Sequence, residues 1–315
     1  MKDIIDHSIN IVMYHYVRPI KKSKYPNIKG LEFENFKKQI DFFSKKFNII
    51  SHTDFLEIIK SKKIPQKPSI MLTFDDGFID HYQYVFQHLR KNKISASFYP
   101  PIQVVENKTV LNVNKIHFIL EKEQNRKKIL DEIDNLLIKK NKKTIDQIDL
   151  TKIKHLNDRY DDKETILIKR LLQHFLSLED RNYIIDELFK KIVNENVEDF
   201  AKEIYMNINH LKEMYSEGMT FGSHGYRHVY WEFLDKNKQE KELLNSIDFY
   251  KKLNFNTNDI SVCYPYGSYN NTTLEILKEK NISFALSTHV GMVKKDNIFD
   301  KYKLPRMDTN DFKVW

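Results

Sequence analysis

Two short clusters of ionisable residues stand out in this 315-residue chain. Asp75 and Asp76 are adjacent and are followed by Gly77; His224 and His228 lie four apart in Ser223-His224-Gly225-Tyr226-Arg227-His228. Neighbouring carboxylates at the end of an apolar run cannot both enter a hydrophobic interior unpaired, because a buried anion must be neutralised or bind a cation. The plain alternative is a capping turn, with the Asp oxygens accepting backbone N–H groups at a helix start. On a helix, the spacing of the histidines would put both rings on one face, within reach of one metal ion. Two imidazoles and a carboxylate form a three-ligand set that leaves a position open for water and substrate. A lone His-x-x-x-His is unremarkable in a chain with twelve histidines; the two clusters together, each after a strand-like segment, are not.

The elements that must position these residues follow from hydrophobic patterning. Ile70–Phe74 is a short apolar run between Pro68 and Gly77, the signature of a parallel strand buried on both faces. Residues at the C-terminal end of such a strand face the active-site mouth. Met219–Phe221 precedes the histidines in the same way. Ile9–Val17 reads as a first strand carrying His15 near its end. Leu31–Phe47 has helical spacing, and so does Ser51–Ile59 with Thr53 or Asp54 as cap. Phe78–Lys91 is expected as an amphipathic helix, with His81 and His88 at surface or packing positions and Asp80 as a supporting group. Ile94–Tyr99, Ile260–Gly267, Phe284–Ser287 and Tyr302–Arg306 read as further strand segments, and Leu274–Lys280 as a helix.

Thr73-Phe74-Asp75-Asp76-Gly77 together with Ser223-His224 and His228 resembles the polysaccharide deacetylase family, carbohydrate esterases with a NodB-type domain. The resemblance covers 11–104 and about 216–308. It implies an α/β fold, a distorted parallel (β/α) barrel of about seven strands. The implied division is 1–109 as the first part of the barrel, 110–217 as a helical insertion (a lid or a dimer surface) and 218–315 as the second part. The insertion is expected as helices over 115–123, 131–139, 163–175, 181–194 and 204–215.

The resemblance also assigns roles. Asp76, His224 and His228 would hold a divalent ion, with Zn²⁺ the first choice and Co²⁺, Ni²⁺ or Fe²⁺ compatible with mixed N/O ligation. Asp75 would be the general base, and the backbone N–H of Tyr266 would stabilise the oxyanion. For the general acid, His15 is favoured over His289, because deacetylases of the poly-N-acetylglucosamine type have a similar Tyr-His at their first strand. The family commonly has an arginine two residues before its motif proline, bracing the base. Here that position is Cys263, and Arg306 in Leu304-Pro305-Arg306 is the candidate replacement.

Composition narrows the setting. No apolar run approaches the roughly 20 residues that span a bilayer, and mean hydropathy is −0.59. The N-terminus carries acids and has no uninterrupted apolar core of a signal peptide, and one cysteine excludes an intrachain disulfide. The expectation is a cytoplasmic protein with at most peripheral membrane contact. A net charge of +8 comes from lysines interspersed with acids, and no motif points to nucleic acid. The expected substrate is an amino sugar, either nucleotide- or lipid-linked, and homodimerisation is open. The competing functions are deformylation or hydrolysis of a non-sugar amide on the same fold, and a catalytically silent carbohydrate-binding protein.

Overall fold

The structure is a computed structural model that describes residues 7–106, 109–149 and 161–312. It divides into two compact units: Met1–Pro19, Gly30–Thr109 and Ala201–Trp315 form the first, and Ile20–Lys29 with Val110–Phe200 form the second. The segment 201–217 therefore groups with the first unit.

The first unit is built on parallel strands: β1 (Ile9–Tyr14), β2 (Val17–Arg18), β3 (Leu31–Glu32), β4 (Asn48–Ile49), β5 (Ser69–Asp75), β6 (Ser97–Tyr99), β7 (Thr220–Phe221), β8 (Val262–Cys263), β9 (Ala285–Val290) and β10 (Leu304–Asp308). Seven of them run in the order β7-β6-β5-β1-β10-β9-β8, with β4 added on β5 and β2-β3 as a separate pair. An isolated parallel bridge between Ser223 and Val262 then joins the two ends of that order. This is the expected distorted (β/α) barrel. Strand β5 is buried along its whole length, as its unbroken apolar run requires.

Register sets the mouth. β1 and β5 pair from Ile9↔Ser69 to Tyr14↔Phe74, so one further step brings His15 level with Asp75. β5 and β6 pair at Asp75↔Tyr99. The closing bridge is made at the mouth itself: Ser223 N–H donates to the Ser261 carbonyl (2.9 Å), and Cys263 N–H donates to the Ser223 carbonyl (2.8 Å). Gly222 must be glycine here. A Cβ at that position would lie 2.3 Å from the Tyr99 ring and 2.7 Å from the Ser261 carbonyl.

Several boundaries differ from the sequence expectation. The first strand stops at Tyr14, and the separate β2 begins at Val17, so His15 lies between the two. The helix after Asp80 opens as a π-helix over His81–Phe86 before Gln87–Lys91. The helix His52–Ser61 is capped by Ser51, and Asp54 returns the second bond of a capping box, so Thr53 has no capping role. The expected 204–215 helix starts later, as Ile208–Ser216, and a separate helix, Val197–Ile204, precedes it.

The second unit is helical, with Asn112–Lys122, Arg126–Lys139, Lys163–Arg170 and Leu178–Leu188 among its helices. Asn125, Asp162 and Ser177 cap three of them through side-chain acceptors. Ile116, Ile129, Ile133, Ile168, Ile184 and Leu188 are all buried, as their helical spacing requires.

Replacing Gly222 by alanine is expected to destabilise the protein by about 1–3 kcal/mol through overpacking at the barrel seam. Urea unfolding measures it, and a midpoint equal to wild type would contradict the close approach described.

Candidate metal centre and its supports

Asp75 and Asp76 leave β5 in different directions because Asp76 takes a left-handed backbone conformation (φ 71°). Both are buried, at 1% and 4% exposure. Burial disfavours charge on either, so each carboxylate must be compensated, and each is compensated differently.

Asp75 is held by Arg306. The guanidinium Nη1 donates to Asp75 Oδ1 (3.0 Å), and Nη2 lies 2.7 Å from Oδ2. Arg306 is itself fixed, since its Nε donates to the Ser287 carbonyl (3.0 Å) and Nη1 also reaches Thr73 Oγ1 (3.3 Å). A surface position for this arginine is thereby excluded: it is 2% exposed. Burial opposes ionisation of Asp75, but Arg306 above all, with His224 and His15, outweighs it and brings the pKa down to about 2. Cys263 is not idle either. Its thiol contacts Asp75 Oδ2 at 3.4 Å, a weak donor beside the strong one.

Asp76 faces the histidines. Its Oδ1 lies 3.6 Å from His224 Nε2 and 3.4 Å from His228 Nε2, and the three ligand atoms all lie within 4.8 Å of one another. These separations are long for hydrogen bonds. They fit donors sharing an ion, because two ligands about 2.0–2.1 Å from a tetrahedral centre stand about 3.4 Å apart. Nδ1 of His224 lies 2.7 Å from the Cys263 carbonyl, which can only accept, so Nδ1 carries a proton; without an ion, Cys263, Asp76 and Asp75 outweigh burial and raise the pKa of the ring well above its ordinary value, and a bound ion would take the place of the second proton at Nε2. Burial keeps His228 neutral, its pKa lowered to about 4 despite nearby Asp76. Burial also opposes the charge on Asp76, but the contact with His224 above all holds it well below the ordinary carboxylate range. The donor set suits a divalent ion.

The histidines do not meet on a helix. The segment 222–230 is a loop, in which Gly225 (φ 70°) and His228 (φ 58°) take left-handed conformations. The expectation of a helical i, i+4 pair is corrected accordingly. Glu242, on the helix Lys236–Lys252, makes this loop possible. Its Oε2 accepts from the N–H groups of Tyr226 (2.9 Å) and Arg227 (2.8 Å), and Oε1 accepts from Arg227 Nε (2.6 Å). A Cβ on residue 225 would stand 3.3 Å from Oε2. The sequence reading missed Glu242, taking its helix only as highly charged. The signal was present, since Glu242 falls on the stripe of Gln239, Leu243, Ser246 and Tyr250, all buried.

The remaining site residues separate clearly. His15 is half-buried and acts electrostatically on Asp75, Asp76 and His228. His289 is exposed beside Tyr269 (6.5 Å between centroids), off the cluster. Tyr266, also left-handed (φ 58°), follows β8 with its ring 4.5 Å from that of His228. His81 is fully buried, with Nε2 2.8 Å from the His15 carbonyl. Asp80 pairs with Arg18 (2.7 Å) and accepts from Val17 N–H (3.3 Å), so both residues steady the turn that carries His15.

The sequence model of the family described as polysaccharide deacetylase matches residues 191–285, which include both histidines, Cys263 and Tyr266. The match covers this stretch of the chain and is a similarity to that family. Solved structures of such deacetylases share its fold. The Streptococcus pyogenes deacetylase PplD aligns with a TM-score of 0.60 at 18% identity, over 96% of this chain and 93% of PplD. IcaB from Ammonifex degensii gives 0.56 at 16%, over 96% and 92%. The BpsB deacetylase domain from Bordetella bronchiseptica gives 0.56 at 12%, over 98% of each chain. No curated protein matches the chain by sequence.

Two outcomes follow from this geometry. Glu242→Gln should weaken Zn²⁺ or Co²⁺ binding roughly tenfold or more by freeing the histidine loop; competition titration against a chromophoric chelator reads it, and an unchanged affinity would remove the loop clamp. Burial lowers the pKa of His81 to about 4, against an ordinary value near 6.5. Between those values the unfolded chain binds a proton that the folded one refuses, so stability is full above about pH 6.5 and falls toward pH 4. In metal-free protein, His81→Gln should flatten that fall, and thermal melts across the window that overlay wild type would contradict it.

Proposed function

We infer that the protein is a divalent-metal-dependent hydrolase that removes an N-acetyl group from an amino sugar, working in the cytoplasm on surface-glycan precursors. One observation carries this reading: Asp76 Oδ1 and two imidazole Nε2 atoms converge, while the adjacent carboxylate is held apart by Arg306. In this reading Asp76, His224 and His228 hold the ion, Zn²⁺ by preference, with Co²⁺, Ni²⁺ or Fe²⁺ also suited to the donors. An ion bound there supplies Lewis acidity toward the acetyl carbonyl and acidifies a water, which is what a base with a pKa of about 2 requires.

The residues of the chain then divide the work. Asp75 takes the proton of the attacking water, oriented by two parallel bonds from Arg306. The Tyr266 N–H is assigned to the oxyanion. His15, and not the outlying His289, delivers the proton to the leaving amine. The solved structure of PplD was obtained with acetate, the acid that N-deacetylation releases, and this supports acetyl as the acyl group. The buried, unpaired Cys263 accords with a reducing compartment.

The test compares metal-loaded wild type with Asp75→Asn and His224→Ala on N-acetylated and N-formylated nucleotide sugars, lipid-linked sugars and oligosaccharides. Asp75→Asn should retain metal by elemental analysis and lose about a hundredfold or more in turnover, and His224→Ala should lose metal. Wild-type acetate release from Asp75→Asn, or full metal content in His224→Ala, would sink the assignment. Release of formate alone would move the acyl group from acetyl to formyl.

A further inference from the structure

A second set of ligand atoms lies beside the first. Asp75, His224 and Cys263 each offer one, and the three lie within 4.8 Å of one another. All three residues are buried. This set shares His224 with the first and otherwise draws on different side chains, one of them a sulfur donor. Cys263 is the only cysteine in the sequence.

The spacing is that of donors around an ion. Cys263 Sγ lies 3.4 Å from Asp75 Oδ2. A tetrahedral ion with bonds of about 2.3 Å to sulfur and about 2.0 Å to oxygen sets those atoms about 3.5 Å apart. Both side chains are held before any ion arrives. Cys263 sits on β8, where its N–H donates to the Ser223 carbonyl (2.8 Å) and its own carbonyl accepts from His224 Nδ1 (2.7 Å). Asp75 ends β5 in the grip of Arg306. That grip leaves room for another partner, because an ionised carboxylate has about four lone-pair sites and the guanidinium takes one on each oxygen. On Oδ2 the further partner is the thiol, a weak donor that an ion can replace.

We propose that Asp75, His224 and Cys263 form a second metal site, selective for soft, thiophilic divalent ions such as Cd²⁺, and that an ion there inhibits the protein. Sulfur decides the selectivity: thiolate prefers soft ions, whereas two imidazoles and a carboxylate suit borderline ones. Binding breaks the S–H bond, forms a sulfur–metal bond and releases the proton to solvent. No electron changes hands, and both bonds from Arg306 to Asp75 stay in place. A dication in this position meets a carboxylate and a thiolate against one guanidinium. The inhibition rests on the reading of Asp75 as the base. An ion on Oδ2 occupies an oxygen of that base, and it draws on the imidazole that the first set needs.

The test of the site needs no turnover. Cd²⁺ is titrated into metal-free protein in thiol-free buffer while the ultraviolet charge-transfer band of a cadmium–thiolate bond is followed; with a single cysteine in the chain, that band reports Cys263. It should saturate at one ion per chain and persist in His228→Ala. Asp75→Asn should weaken Cd²⁺ binding about tenfold or more. Cys263→Ser should lower the ratio of Cd²⁺ to Co²⁺ affinity about tenfold or more, a ratio that a general loss of structure would not move. No band at full Cd²⁺ occupancy overturns the site, and so does an unchanged affinity ratio. A band lost in His228→Ala overturns it too, since Cys263 would then be an extra ligand of the first set. If Asp75→Asn does not fold, the His228→Ala titration and the ratio decide. Full acetate release while the band is saturated overturns the inhibition. Acetate release by Zn²⁺-loaded wild type reports separately on catalysis: its absence, with the band present, removes the deacetylase reading and leaves the second metal site standing.

Discussion

Two neighbouring carboxylates placed in a dry strand end cannot be stabilised by the same partner, and the site is organised around that constraint. Asp75 receives a permanent cation, Arg306, through two parallel bonds. Asp76 faces two imidazoles whose charge is adjustable and whose ring nitrogens can ligate. Breaking a buried pair by removing one member costs about 3–5 kcal/mol because it strands the other charge. Arg306 therefore supports the fold and the orientation of Asp75 at once. It can do so because β10 lies beside β1, two strands from the end of β5, and the guanidinium spans that gap.

The imidazole side depends on backbone conformations that ordinary residues avoid. Asp76, His228 and Tyr266 all have positive φ, and each lies at the C-terminal mouth. Such conformations persist only where the surroundings over-determine them. For His228 the determinant is the Glu242 carboxylate gathering three N–H groups of the preceding residues. His224, whose backbone is not among these, is fixed at its ring by the Cys263 carbonyl, delivered by the same strand junction that closes the barrel.

What could be read from the sequence was whatever local pattern encodes. The buried run 70–74 ending in Asp-Asp-Gly, the paired histidines and the alternating strands and helices all carried their information within a few residues. Arg306 could be named only through resemblance, since its partner lies 231 positions away. The shape of the histidine loop was not legible, because His-x-x-x-His fits a helix as well as a loop, and a distant carboxylate decides between them. The same limit hid His81: a histidine on an amphipathic segment reads as packing, and its bond to the His15 carbonyl exists only once β1 lies beside β5.

The closure of the barrel at Ser223 and Val262 has a kinetic consequence. The donors contributed by 75–76 and by 224–228 are separated by some 150 positions of chain, and His224 finds its Nδ1 partner only in a carbonyl that is synthesised later still. High affinity for a cation thus cannot arise in any amino-terminal fragment leaving the ribosome; it emerges with the last, long-range pairing. An ion held by these donors would therefore be bound only after the long-range pairing that closes the barrel.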